Sequence, residues 1–171
     1  GIYSIEKFLI ARRLMYWQVY LHKTNVAAEQ MVIHLLRRAR ELAVAGVSLD
    51  VSKPLHWFLY RSGQPPVSEL LEYFARLDDV DIAAAIKAWR DAEDPVLSIL
   101  ATGLLDRKLF RLEWRTVPVE ADYIDKIHAK ALQVFGPTAP LQHLVFTGSE
   151  SNQAYDISEE KINILFKDGR V

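Results

Sequence analysis

Phe8-Leu9-Ile10-Ala11-Arg12-Arg13-Leu14-Met15-Tyr16-Trp17-Gln18-Val19-Tyr20-Leu21-His22-Lys23-Thr24 is the stretch on which the reading of the fold turns. It lies in a run from Tyr3 to Lys23 that contains neither Gly nor Pro, with Ser4 available as a cap. At about 100° per residue, Ile5, Phe8 and Leu9 form one face, and Ile10, Leu14, Trp17 and Leu21 form another. A helix that is apolar nearly all round is normally buried on several sides. The expectation is one unbroken helix to Lys23 whose apolar surface this chain cannot cover alone, so that it is over-exposed here and finds a partner, most simply in a two-fold dimer.

Working outward, Thr24 or Asn25 caps a second helix over about 26–45, closed by Gly46. Residues 47–67 carry Pro54, Gly63, Pro65 and Pro66 and read as a loop, with room for a helical turn over 55–60. Ser68 starts a helix through Arg76, and Asp79 starts another through Arg90. Asp94-Pro95, a capping acid before a proline at the first helical position, opens a helix ending near Asp106. Beyond it the period changes to two. Leu109, Arg111, Glu113 and Arg115 alternate with Phe110, Leu112, Trp114 and Thr116, which predicts a strand over 108–117. A helix over 121–135 is stopped by Gly136-Pro137, and strands are predicted over 143–147 and 161–167, the latter feeding an Asp168-Gly169 turn. The expected fold is mostly α with a small α+β C-terminal module: a helical region over 1–107 and a strand-helix-strand-strand module over 108–171. The chain opens on Gly1 with a helical pattern almost at once, and its last residues read as a hairpin barely begun, so both ends read as cut. The expectation is a piece of a longer chain.

Composition narrows the functions. Of the 171 residues, 50% are hydrophobic, enough for a sizeable core, and a net charge of −1 gives no global field for nucleic acid or an anionic membrane. The absence of cysteine excludes disulfides, thiolate metal sites and cysteine nucleophiles. No apolar run is long enough to span a bilayer and no signal-peptide pattern opens the chain, so the expected location is cytoplasmic.

Arg12, Tyr16, Tyr20 and Lys23 are spaced four, four and three residues apart, which puts them on one face of a continuous helix. A guanidinium is a rigid fork for phosphate oxygens, and an ammonium adds a mobile charge. Phenol rings pack on a sugar or base while their hydroxyls hydrogen-bond. Together these suit a nucleoside polyphosphate. The same spacing also arises when an arginine is paired, two tyrosines are core and a lysine is solvated, and by spacing alone that outcome is the commoner.

The stretch 8–24 resembles a segment of the HD-superfamily phosphohydrolases, in particular its dNTP triphosphohydrolase-like members. An arginine, a tyrosine eight residues on, and a His-Lys pair recur on one long helix of that family; here they are Arg12, Tyr20, His22 and Lys23. Asp94-Pro95-Val96-Leu97-Ser98, Leu104-Leu105-Asp106-Arg107-Lys108-Leu109-Phe110, Asn152-Gln153-Ala154-Tyr155 and Ile162-Asn163-Ile164-Leu165-Phe166-Lys167-Asp168-Gly169 are similar too, while 47–67 carries no likeness. The resemblance implies hydrolysis of nucleoside triphosphates or related phosphoesters, with Arg12 and Lys23 on phosphate and Tyr16 and Tyr20 against the sugar or base. It implies that His22, with Lys23, faces a neighbouring subunit or a regulatory nucleotide. Gln18 stands where some members carry a further cation for that nucleotide.

The family takes its name from a metal site made of a histidine, a distant His-Asp dipeptide and a further aspartate, ligands that suit Mn, Fe, Mg or a similar ion able to activate water. None of the five histidines, His22, His34, His56, His128 and His143, precedes an aspartate, and none pairs with another at helical ligand spacing. No phosphate loop and no nucleophile elbow replaces the motif. The resemblance thus implies a metal-dependent parent whose missing N-terminal HD region holds the ion. In that reading this chain supplies pocket wall and assembly surface, acts as part of a homo-oligomer, contains no catalytic or metal-binding residue, and is inactive alone. The alternative is a non-catalytic nucleotide-binding, regulatory or structural interaction protein.

Overall fold

A computed structural model of the chain describes residues 2–150, and their secondary structure is helical: α1 (Ile2–Met15), α2 (Lys23–Val44), α3 (Lys53–Tyr60), α4 (Val67–Phe74), α5 (Asp79–Ala88), α6 (Pro95–Leu105) and α7 (Ala121–Phe135). None of the helices among these residues is long and apolar enough to cross a membrane. Contacts separate the chain into two compact units; one contains residues 2–25 and the other is Val26–Thr147.

The second unit has a single core. Met31, Leu35, Ala39 and Ala43 recur every fourth residue along α2 and make one buried stripe. Against it lie Leu55 and Leu59 of α3, Ala85 of α5, Trp89, and Val96, Leu97, Leu100 and Ala101 of α6. The small side chains at 39, 43, 85 and 101 allow close helix approach while Trp89, wholly buried, fills the centre. Caps set the helix starts. The Ser52 hydroxyl accepts from the Leu55 N–H ahead of α3, with Pro54 in its first turn. Asp78 and Asp81 form a reciprocal capping box on α5, one residue earlier than the predicted Asp79 cap. The Asp94 carboxylate accepts from the Leu97 N–H at 2.8 Å, and Pro95 opens α6 as expected. Gly46, at φ +86°, ends α2 and its turn, and Gly136 ends α7.

Two expectations are corrected. The helix predicted without a break to Lys23 stops sooner: α1 gives way to a π-helical turn, Tyr16–Tyr20, and the chain leaves helix at Leu21 and His22 before α2 begins. The sequence agent of the break is Asn25. Its side-chain amide donates to the Val19 carbonyl at 2.5 Å, while the Leu21 N–H reaches back five residues to the Tyr16 carbonyl at 2.9 Å. Asparagine thereby offers the backbone a partner that competes with the regular ladder.

The second correction concerns the β part of the C-terminal module. Segment 108–117 has no strand pairing among the described residues. Its period of two accompanies ion pairs between residues two apart, with Glu113 3.2 Å from Arg111 and 3.1 Å from Arg115. Leu109 and Phe110 pack on the core instead, and the Phe110 N–H points at the Met31 sulfur, 3.3 Å away. Alternation suits a strand only when a neighbour supplies the ladder. Likewise 143–147 is no strand: Leu141–His143 is a 3-10 turn, and the N–H groups of Leu144 and Val145 both bond to the Leu141 carbonyl. The predicted strand at 161–167 and its turn lie outside the described residues.

Candidate functional site

In the first unit, α1 and the π turn build a cleft of about 320 Å³ lined by Phe8, Ala11, Arg12, Met15, Tyr16 and Tyr20. An Arg12 guanidinium nitrogen donates to the Tyr16 hydroxyl over a long 3.4 Å, and its carbon sits 5.3 Å from the Tyr16 ring centre. Tyr20 meets Tyr16 edge-on, with ring centres 5.0 Å apart. Arg12 and Tyr16 are half-buried and Tyr20 is exposed. The result is a cation backed by two phenols over an apolar floor, which can bind an anionic group and a flat ring together. π-helical turns are frequent at functional sites because the extra residue per turn re-aims side chains.

Three of the four predicted face residues thus come together. Lys23 does not line the cleft; it is exposed at the first position of α2, where the break frees it from the spacing that linked it to Tyr20. His22, also exposed, accepts the Thr24 N–H on Nδ1 at 3.3 Å.

A second cluster, in the other unit, was not foreseen. His34 of α2 and His143 are buried, with their Nδ1 atoms 3.4 Å apart, and His143 Nε2 lies 2.9 Å from a Glu41 carboxylate oxygen. His34 stacks on Phe146 with ring centres 3.8 Å apart. Burial, and after it the charges of His143 and Arg37, lower the His34 pKa to about 4. Burial pushes the Glu41 carboxyl up, but hydrogen bonds from Arg38 and His143 outweigh it and hold the group below its usual range. Arg38 continues the chain of contacts, 2.9 Å from Glu41 and 2.6 Å from Asp94. The hydrogen bonds that Arg38 donates to Asp94 are the largest influence on it and raise its pKa. Beside these groups is a cleft of about 510 Å³ whose lining includes His34, Arg37, Arg40, Glu41 and His143. The sequence held only a faint signal of this: His34 and Glu41 are seven residues apart, two turns of one helix, whereas His143 is 109 residues from His34.

The residues present do not fit the divalent ion that the family resemblance implies. Among the described residues no group of three His, Cys, Asp or Glu side chains is placed to hold a metal. His34 and His143 are engaged with each other and Glu41, and His56 stacks on Tyr60.

No family model matches the chain. Over 111 residues it is 32% identical to a Bacillus subtilis protein described as the uncharacterized protein YwfO, covering 65% of this chain and 24% of that protein. A crystal structure of a phosphohydrolase from Bacteroides thetaiotaomicron matches 99% of this chain with 44% identity and a TM-score of 0.80, and the chain covers 43% of it. The chain therefore spans less than half the length of either protein, and in sequence and in its mostly helical fold it is similar to a substantial part of a phosphohydrolase.

Proposed function

We propose that this chain is part of a metal-dependent phosphohydrolase of the HD type acting on nucleoside triphosphates or related phosphoesters, and that it supplies one wall of the substrate pocket. The observation that carries the reading is the Arg12–Tyr16–Tyr20 cleft, in a chain 44% identical to the matched part of a phosphohydrolase. Arg12 would hold a phosphate oxygen pair, and Tyr16 and Tyr20 would pack on the sugar or base. Lys23 would add charge from its own side chain's reach, and His22 would serve a subunit contact or regulatory nucleotide. The divalent ion, supplied by an N-terminal HD region, would activate the attacking water. The boundary near residue 107 would separate pocket wall from a part serving assembly, in a homo-oligomer.

The test is titration calorimetry with dATP on this chain and on the longer protein. Arg12→Ala should weaken binding about tenfold or more, as expected for losing a charge-assisted contact worth roughly 1.5–3 kcal/mol. Arg13→Ala, rotated about 100° from that face, should leave it within about twofold. Equal effects of the two substitutions would remove the pocket assignment. Binding by the longer protein that is sensitive to Arg12, without turnover in Mn²⁺, would favour a regulatory nucleotide-binding protein instead.

A further inference from the structure

His143 sits in a 3-10 turn that holds residues 136–147 onto α2, and the contact is polar at its centre. Two imidazole Nδ1 atoms 3.4 Å apart can share one proton only: one must donate and the other must be bare. Glu41 fixes the far side of His143, because a carboxylate 2.9 Å from Nε2 requires a proton there. Two arrangements then satisfy the pair. Either His34 donates through Nδ1 to a neutral His143, or a charged His143 donates to the bare Nδ1 of His34. In the second His34 must be neutral, and in the first burial disfavours a further proton on its ring. We propose that the His34–His143 pair is a clasp that holds the 136–147 segment on α2 while at least one of the two Nδ1 atoms is unprotonated, and that releases the segment when both rings carry a full complement of protons.

Double protonation turns the shared hydrogen bond into two N–H groups facing each other on two cations. Among the charged groups around the pair, Arg37 adds to that repulsion on His34. Arg37, Arg38 and Arg40 are on the same helix, and Glu41 already has its charge divided between His143 and Arg38, with Asp94 behind Arg38. The lowered proton affinity of His34 agrees in direction. Its folded-state value of about 4 lies below 6.5, so the contribution of the pair is complete above about pH 6.5 and is lost as pH falls toward 4. Release would free more than a turn. Among the described elements α7 packs chiefly on the 141–143 turn, and Ala131 is its one buried residue. The clasp is thus the main polar tether of the segment that follows α7.

Amide hydrogen exchange of this chain, read by mass spectrometry or NMR from pH 7 to pH 4.5, tests the proposal after correction for intrinsic exchange. The His143, Leu144 and Val145 amides, which bond within the turn, should lose protection by about tenfold per pH unit below the onset, the slope of a one-proton event. The amides of Leu100 and Ala101 in α6 should keep theirs. In His34→Gln, whose side-chain amide can still donate to His143 and does not titrate, turn protection should be independent of pH; His34→Phe, which keeps the stack on Phe146, serves as the second variant. Unchanged protection of the turn at pH 4.5, loss in step with α6, or persistence of the unsubstituted chain's pH slope in both variants would overturn the clasp.

Discussion

Asp94 accepts the Leu97 N–H at 2.8 Å and the Arg38 Nε and terminal nitrogen at 3.2 and 2.6 Å, so one carboxylate starts α6 and anchors it to α2. Burial pushes its pKa up, but the Arg38 and backbone hydrogen bonds outweigh that and hold it below the usual carboxylate range. Its contribution to stability is therefore present above about pH 4 and lost as pH falls through the folded value. Asp94→Ala removes the cap, about 1 kcal/mol, and strands a half-buried guanidinium, so a loss of roughly 2–4 kcal/mol is expected in urea unfolding at pH 7. Asp94→Asn keeps an acceptor for the cap and should lose less. If the two variants are equally stable, the ion pair contributes nothing beyond the cap.

At the scale of elements, Gly136 is the most exacting position. At φ +88° and ψ 162° it occupies a region open essentially to glycine alone, and it turns the chain from α7 toward Leu141–His143. Nothing lies within 4 Å of where a Cβ would sit, so the cost of Gly136→Ala is backbone strain and not a clash. A loss of about 1–3 kcal/mol is expected; thermal unfolding that matches the parent would show that the turn adopts another conformation without penalty. The elements also show what could be read from sequence. α2, α4, α5, α6 and α7 were legible within a few residues, because Asp94-Pro95, Gly46 and Gly136-Pro137 carry local stop and start chemistry, whereas α3 lies in a segment read as loop with room for one helical turn. The π turn was not legible, since its cause is Asn25, six residues beyond the carbonyl it takes. The strand expectation over 108–117 failed because period two reports alternation, and here the alternation accompanies i, i+2 ion pairs. Of the first cleft, Arg12, Tyr16 and Tyr20 were legible as a helical face. The His34–His143 cluster was not, because its halves meet only through tertiary folding.

At the scale of the whole molecule, α1 and the π turn carry a stripe that the described residues leave uncovered. Ile10, Leu14 and Trp17, at four- and three-residue spacing, are 60%, 50% and 60% exposed. The nearly all-round apolar character read from the sequence leaves these side chains over-exposed among the described residues, as expected for this chain. Clustered apolar exposure of this kind marks an interface. Self-association of this chain at micromolar concentration, weakened by Trp17→Glu, is the expected result in sedimentation velocity. A strictly monomeric species across that range would contradict it.

The contacts running Asp94, Arg38, Glu41, His143 and His34 join the start of α6, the middle of α2 and the 141–143 turn in one uninterrupted line of charge and proton-sharing groups. Such a line has no independent members: what one substitution costs depends on whether its neighbour has already been changed, because each group's charge state is set by the next. A change at the α6 cap is then felt at the 141–143 turn, three partners along the line. Energies measured singly at Asp94 and His143 will not sum to the energy of the pair, and the departure from additivity is the physical measure of how far the helical body and the turn behave as one thermodynamic unit.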